Sequence, residues 1–345
     1  MDGTDESTKY SFVGSESIKF EMEELGYKPS EIPSQSTIKR IIKRNKLRIN
    51  TKERYKRVRS KGRHTIIKPT CIDEMHQIDF VGPRYIKGFG NINSLHLKDV
   101  VGRQVAGNQY VGKSMNNVMD FLLDYWKSHP IPRYLQTDNG MSFAGDYTHP
   151  RSISRFVRLC LHVGIEVVFI APAKPWMNGT IESFNKEFDR LFWKRETFTR
   201  LSDIQAKSAV FYASQNEFYT WKGETQNLKS LTPKRMLRSD FKIDLGAIPL
   251  VAGKIHFIRI VDSKEEVFVF NERFRVGEAY IGDFVWATID TGEQSLGISY
   301  NDEEMIVRTI KRFEYEIHEP VQDLDDRIFI KNDLKKWGTY LLNLN

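Results

Sequence analysis

Apolar residues between positions 71 and 197 repeat with two different periods, and the order of these periods fits few folds. Three segments have the two-residue alternation of β-strands, at residues 75–82, 92–100 and 104–110. Strand-like segments then alternate with helical patterns, in the order 114–128, 133–137, 152–162, 166–171 and a helix from residue 179. Consecutive strands followed by alternating strands and helices predict an α/β fold, with a mixed sheet covered by helices.

The first 50 residues are predicted to form a helix-turn-helix segment. Helical spacing at residues 15–25 and 34–47 flanks a turn that contains prolines. In the second helix, Ile38, Ile41 and Ile42 share one face. The opposite face is basic and carries Lys39, Arg40, Lys43 and Arg44. Such a helix can enter the major groove of DNA, although a basic amphipathic helix in any small bundle would show the same pattern.

Positive charge is concentrated in the second helix of this segment and in the residues that follow it. The whole chain has a net charge of +7, whereas residues 39–68 hold 14 basic residues and 1 acidic residue, a net charge of +13. An excess of this kind in one segment is expected where a chain contacts a polyanion. We therefore predict a basic linker at residues 51–70 that contacts DNA phosphates without reading bases. A solvated linker would explain the same run of charge.

The rest of the chain is predicted to comprise three further parts. Residues 198–245 form a helical connector, because residues 201–221 have the spacing of one long helix. Residues 246–317 form a small β domain, since alternating apolar runs occur at 254–261, 266–270, 280–289 and 305–315. Residues 318–345 are a tail without a recognisable pattern. A barrel or sandwich that does not bind nucleic acid would fit the β pattern equally well.

Composition excludes several classes of protein. The two cysteines, Cys71 and Cys160, are too few for a disulfide framework or a multi-cysteine zinc site. No apolar run approaches the ~18 residues of a membrane span. The amino terminus lacks the basic and apolar regions of a signal peptide. We therefore expect a soluble protein inside the cell.

Three acidic residues occupy positions that suit metal binding. Asp79 lies inside the strand QIDF, where a carboxylate is costly unless it is paired or bound to a cation. Asp138 ends the strand of QTDNG, and strand ends are common ligand sites in α/β sheets. Glu182 lies in the first turn of the helix that starts near Gly179. Together these acids offer the hard oxygen ligands that Mg²⁺ and Mn²⁺ prefer.

Each acid also has a purely structural explanation. Asp138 fits a turn with the following Asn-Gly pair, and Glu182 is favoured at a helix start by the helix dipole. Asp79 taken alone is explained about as well by structure as by function. As a cluster, however, the three could hold two ions about 4 Å apart, which suits the activation of a water or a 3′-hydroxyl for phosphoryl transfer.

Three segments resemble the catalytic core of DDE transposases and retroviral-type integrases: QIDF, LQTDNGMSF and PAKPWMNGTIESFNKEF. The likeness extends to insertion-sequence transposases with an N-terminal helix-turn-helix. It implies an RNase H-like core at residues 71–197 and a small SH3-like β-barrel at residues 246–317. It also implies a catalytic triad that binds two Mg²⁺ or Mn²⁺ ions, formed by Asp79, Asp138 and Glu182.

The resemblance further implies a DNA transposase or integrase that nicks the 3′ ends of a mobile element and joins them to target DNA. Its partners would be double-stranded element ends and target DNA, bound by a homodimer or a higher oligomer. It would act in the cytoplasm, on the nucleoid of a prokaryotic cell. A nuclease of the same fold that does not join ends is an alternative, as is a catalytically idle DNA-binding descendant.

Three further residues are candidates for contact with DNA. Lys186 would face the DNA end, or else pair with Glu182 one helical turn earlier. Asn139 and Asn178 could help to orient the substrate, and Asn178 would also shape the start of the helix. The chain departs from the family in spacing, because 43 residues separate the second and third acids. We place the extra length at residues 144–152.

Overall fold

The computed structural model describes residues 14–45, 67–145, 149–301 and 306–331. Most of the predicted basic linker at residues 51–70 lies outside the described residues, as does the end of the predicted tail from residue 332. The described part contains two N-terminal helices, an α/β core and a series of C-terminal strands.

The core sheet has the mixed topology that the sequence predicts. Its strands are β1 Met75–Ile86, β2 Gly90–Asp99, β3 Val105–Val111, β4 Tyr134–Thr137 and β5 Glu166–Phe169. β2 pairs in antiparallel with both β1 and β3, whereas β4 pairs in parallel with both β1 and β5. The strand order β3-β2-β1-β4-β5 is that of an RNase H-like fold, so the predicted mixed α/β core is confirmed, whereas the helix-turn-helix and the β-barrel stay predictions.

Helices bury the apolar faces of this sheet. They are α3 Met115–Ser128, α4 Met141–Ala144, α5 Arg155–His162, α6 Gly179–Phe188 and α7 Leu201–Trp221. Trp126 of α3 and Phe156 of α5 are fully buried in one apolar cluster with strand residues. Phe188 of α6 and Phe211 of α7 are fully buried in another. Among the described residues, no helix has the length and apolar character needed to cross a bilayer.

The C-terminal strands continue the core sheet. They are β6 Arg235–Leu237, β7 Leu250–Val251, β8 Lys254–Ile260, β9 Glu266–Val269, β10 Glu272–Arg275, β11 Phe284–Asp290, β12 Ser295–Asn301, β13 Val307–Glu314, β14 Val321–Gln322 and β15 Phe329–Lys331. β8, β11, β12 and β13 form an antiparallel ladder, and β9 and β10 form a hairpin. The ladder joins the core because β8 pairs in parallel with β5.

This junction joins the predicted β domain at residues 246–317 to the core sheet. β8 has five consecutive buried residues, as expected for a strand that is covered on both faces. It therefore lies inside the sheet, between β5 and β11, rather than at the edge of an independent domain. The predicted connector at residues 198–245 is likewise helical only in its first half, since β6 follows α7 and pairs with β15.

The two N-terminal helices, α1 Ser15–Glu24 and α2 Gln35–Arg44, are joined by a turn. Phe20 of α1 is buried, and its ring centroid lies 5.6 Å from that of Phe218 and 5.3 Å from that of Trp221, both near the end of α7. These aromatic contacts hold the N-terminal helices against the core. The helical spacing did not single out Phe20, because its partners lie about two hundred residues further along the chain.

Candidate active site

Two Gln-X-Asp sequences lie on neighbouring parallel strands. Gln77 of β1 is aligned with Gln136 of β4, and Asp79 and Asp138 each follow a glutamine by two residues. Side chains two residues apart in a strand lie on the same face of a sheet. The register therefore brings both aspartates to one face, next to the end of β4.

The same two glutamines hold the start of α6, which carries Glu182. Gln77 Oε1 accepts a 2.9 Å hydrogen bond from the backbone N–H of Ile181. Gln136 Nε2 donates to the carbonyl oxygen of Met177, also at 2.9 Å. Each glutamine lies two residues before an aspartate, on the same face of the sheet. These bonds therefore place the first turn of α6 beside the two aspartates.

The pKa of Asp79 is shifted by burial and by the two other predicted acids. Burial, the charge of Asp138 and the charge of Glu182, in that order, raise the pKa of Asp79 from 3.8 to about 7. Lys113, in the turn before α3, opposes this shift. The structure thus brings the three predicted acids together, along with a lysine that no local sequence signal revealed. A nearby cation stabilises the ionised form of such a carboxyl group.

A buried hydrogen-bonded chain orients Asp79. Asn185 Nδ2 donates to Asp79 Oδ2 at 2.9 Å, and Asn185 Oδ1 lies 2.6 Å from Nδ1 of His96 on β2. Burial lowers the pKa of His96 to about 4, so this ring is neutral near pH 7. With its proton on Nδ1, His96 donates to the amide oxygen and directs the amide nitrogen of Asn185 toward Asp79. Neither His96 nor Asn185 was predicted from the sequence, although Asn185 lies one helical turn after Glu182.

Asn139 is held by the strands around it. Its Nδ2 donates to the carbonyl oxygen of Ile170 at 2.6 Å, and its Oδ1 accepts a 2.9 Å bond from Nη2 of Arg259. These bonds tie the end of β4 to β5 and β8. The preceding Asp138 accepts a 2.8 Å bond from the backbone N–H of Gly140, so it also shapes the predicted turn. Contact of Asn139 with DNA stays a prediction.

The two candidates on α6 and its preceding turn differ in exposure. Lys186 is exposed, and its Nζ lies 3.6 Å from Oε2 of Glu182, so the alternative of an ion pair within the helix is realised. Asn178 is only 2% exposed and accepts a 3.3 Å bond from Nε2 of Gln136. Little of its side chain is therefore accessible to a partner, and its contact with DNA and its role at the helix start stay predictions.

The basic face of α2 is accessible to a partner. Ser34 caps the helix by accepting a 3.3 Å bond from the backbone N–H of Thr37, and Ile38 is buried on the inner face. The four basic side chains that were predicted to contact DNA are all exposed, namely Lys39, Arg40, Lys43 and Arg44.

A second group of metal-ligand side chains lies at the start of β1. One ligand atom each of Asp73, His76 and Asp99 falls within 4.8 Å of the others, and all three residues are buried. Both carboxylates have partners: Asp99 accepts two bonds of 2.9 Å from backbone N–H groups, and Asp73 lies 4.0 Å from Nζ of Lys234. His76 precedes Asp79 by three residues, which places the two side chains on opposite faces of the sheet.

Comparison with known proteins bears on the resemblance noted in the sequence. Residues 163–218 match the family model described as integrase core domain. The predicted resemblance to integrases is confirmed. This integrase-like segment contains Glu182 and Lys186, whereas Asp79 and Asp138 precede it.

Two solved integrase structures are similar to part of the chain. The catalytic core domain of BIV integrase is 15% identical with a TM-score of 0.31, and the match covers 45% of this chain and 98% of that one. The HTLV-2 integrase catalytic core domain in complex with magnesium is 18% identical with a TM-score of 0.28, covering 36% of this chain and 72% of that one. Among curated proteins, none matches the chain.

Proposed function

We propose that this chain is a DDE-type DNA transposase or integrase, which nicks the 3′ ends of a mobile element and joins them to target DNA. One observation carries the proposal. Asp79, Asp138 and Glu182 come from three separate elements to one place, where burial and their mutual repulsion raise the pKa of Asp79 to about 7. Strongly perturbed acids of this kind cluster at functional sites.

The three acids suit a hard divalent cation. Carboxylate oxygens are the preferred ligands of Mg²⁺ and Mn²⁺. After burial, the charges of Asp138 and Glu182 are what raise the pKa of Asp79, and a bound cation would offset this repulsion. We infer that Asp79, Asp138 and Glu182 hold two such ions. When bound, ions in this arrangement activate the attacking oxygen and stabilise the leaving oxygen of phosphoryl transfer.

The remaining side chains keep the acids in place. Gln77 and Gln136 fix the first turn of α6, and therefore Glu182, against the two strands that carry the aspartates. Asn185, itself oriented by His96, fixes the carboxylate of Asp79. Groups held in this way before the substrate binds need no reorganisation during the reaction. A water and then the freed 3′-hydroxyl are the attacking groups, so no nucleophile is assigned to the protein.

Double-stranded DNA is the proposed partner both as the element ends and as the target. The exposed basic face of α2 supplies cations for phosphates of the element ends. Two ends must be processed together, so we propose that at least a dimer assembles on DNA. In a prokaryotic cell this assembly would act on the nucleoid.

A joining assay with the full chain tests the proposed function. Labelled duplexes with candidate element ends are incubated with supercoiled plasmid and Mg²⁺, and nicked and joined products are both measured. The native protein should give both products, whereas folded Asp138→Asn and Glu182→Gln variants should give neither. Asp120→Asn, which changes an exposed carboxylate on α3, is the matched control and should remain active. Equal activity of the native protein and the two site variants would refute the assignment.

The same assay separates the two alternatives. Nicked products without joined products would indicate an RNase H-like nuclease. Binding of the labelled duplexes without either product, and without dependence on Mg²⁺, would indicate a catalytically idle DNA-binding protein.

A further inference from the structure

A groove with a volume of about 540 Å³ opens between the β1–β2 hairpin and the end of α6. One side is formed by the β1 end of the hairpin and includes Arg84, Tyr85 and Lys87. The other side is a π-helical turn, Asp189–Trp193, together with Lys194. None of these residues has a role in the function proposed above.

The groove is positively charged. Its charged lining consists of three cations, Arg84, Lys87 and Lys194, and one carboxylate, Asp189. Arg84 donates to Asp189 Oδ1, and Lys194 Nζ lies 3.0 Å from Asp189 Oδ2. Two cations therefore share the single carboxylate, and a net charge of +2 remains for a partner. A concave surface of this sign attracts a polyanion.

An aromatic ring projects beside these charges. Tyr85 is 74% exposed, and its backbone is paired with Asn91 across the hairpin, so the ring stands on a defined strand. Proteins that bind unpaired nucleic-acid strands combine a basic groove with accessible aromatic rings, on which bases stack. Both features are present here.

The groove lies within a few nucleotides of the three acids. Asp189 follows Glu182 by seven residues, which is about 10 Å along a helix at 1.5 Å per residue. Arg84 follows Asp79 by five residues, which is about 16 Å along a strand at 3.3 Å per residue. A DNA strand advances about 3.4 Å per nucleotide, so about three to five nucleotides cover this distance.

We propose that the groove binds the unpaired DNA strand that continues from the scissile phosphate. One base stacks on Tyr85, and neighbouring phosphates lie beside Lys87 and Lys194. This proposal rests on the proposed function, because it places the scissile phosphate at the three acids. A fully paired flank does not satisfy it, since base pairing and stacking within a duplex hide the base faces from Tyr85.

Photocrosslinking in the full chain tests where the strand lies. Tyr85 is replaced by p-benzoylphenylalanine, and Phe268, which is 46% exposed on β9, receives the same replacement as a control. The probe is a labelled duplex with a short 3′ overhang of arbitrary sequence. We expect a crosslink from position 85 to the overhang, its loss when the overhang is paired, and none from position 268. Absence of the crosslink at position 85, or equal crosslinking at both positions, would overturn the proposal.

Affinity measurements with the same probe separate the groove from the chemistry. Each phosphate contact to a single strand adds about 0.7 to the slope of log Kd against log salt concentration. Replacing Lys87 and Lys194 together by alanine should therefore lower this slope by about 1.4. Tyr85→Ala should weaken binding about 5- to 150-fold, as expected for loss of one stacked base. Lys264→Ala, an exposed lysine on the β8–β9 turn, is the control and should bind as the native protein does.

These measurements need no cleavage, so the two proposals fail separately. A protein that binds the overhang through Tyr85 but neither nicks nor joins DNA would refute the proposed function and leave the groove in place. If the protein joins DNA but its groove variants bind the probe with unchanged affinity and salt dependence, the proposed role of the groove is refuted.

Discussion

Replacement of Asp79 by asparagine is expected to abolish metal-dependent chemistry and, at the same time, to stabilise the folded protein. Asparagine keeps the size of the side chain and an oxygen that can accept the hydrogen bond from Asn185, which is 2.9 Å long in the native protein. It removes a charge that burial and two neighbouring acids destabilise. Stability and activity should therefore change in opposite directions, as they do at many active sites.

The raised pKa of Asp79 sets the size and the pH dependence of this gain. The pKa rises from 3.8 to about 7 on folding. At about 1.4 kcal/mol per pKa unit, the ionised carboxylate destabilises the fold by at most about 4 kcal/mol above pH 7. Because the side chain is partly exposed, solvent screening reduces this, and we expect about 1–2 kcal/mol. Between pH 3.8 and 7 the folded chain keeps a proton on Asp79 that the unfolded chain releases, so the contribution of Asp79 to native stability falls as pH rises through this window.

Urea unfolding without divalent cations, at pH 5 and at pH 8, measures the effect. Asp79→Asn should exceed the native protein in unfolding free energy at pH 8, by a larger margin than at pH 5. Added Mg²⁺ should stabilise the native protein and not the variant, because only the native site binds the ion. Asp120→Asn on α3 keeps Asp79, so its difference in stability from the native protein should be about the same at pH 5 and at pH 8. A variant that is no more stable than the native protein at pH 8 would refute the reasoning.

Three further predictions concern groups around the site and the N-terminal helices. Gln136→Leu should lower the unfolding free energy by about 1–3 kcal/mol, because the carbonyl of Met177 loses its hydrogen-bond donor. The same variant should reduce joining, and unchanged joining would contradict the positioning role of Gln136. The pKa of His96 falls from 6.5 to about 4 on folding, so between pH 6.5 and pH 4 the unfolded chain binds a proton on His96 that the folded chain does not bind. The contribution of His96 to native stability should therefore fall by about 3 kcal/mol from pH 6.5 to pH 4. Urea unfolding should show this as a gain in the stability of His96→Phe relative to the native protein on going from pH 6.5 to pH 4. Phe20→Ala should release α1 from α7, which limited proteolysis would detect as faster cleavage of the N-terminal helices without loss of the core.

Local sequence patterns were sufficient to predict the core elements and to single out the three acids as candidates. Strand and helix periods report which face of a segment is buried, so β1 to β5, α3 and α5 to α7 could all be predicted from them. Their boundaries moved by a few residues: β1 was expected at residues 75–82 and extends to Ile86. Asp79, Asp138 and Glu182 stood out because a charge inside a strand, at a strand end and at a helix start is locally conspicuous.

Contacts between distant segments could not be predicted in this way. The pairing of β8 with β5 joins residues about ninety positions apart, and it places the C-terminal strands in the core sheet. The Gln-X-Asp sequence occurs twice in the chain, but only the register of β1 against β4 shows that the two copies lie side by side. His96 was missed for the same reason, because its partner Asn185 lies on a separate helix.

Anomalous diffraction from crystals grown with Mn²⁺ is the sharpest test of the central assignment, that Asp79, Asp138 and Glu182 hold the catalytic cations. We predict anomalous density between these three acids in the native protein, and its loss in Asp79→Asn. Absence of density at these acids, or density confined to the buried cluster of Asp73, His76 and Asp99, would contradict the assignment.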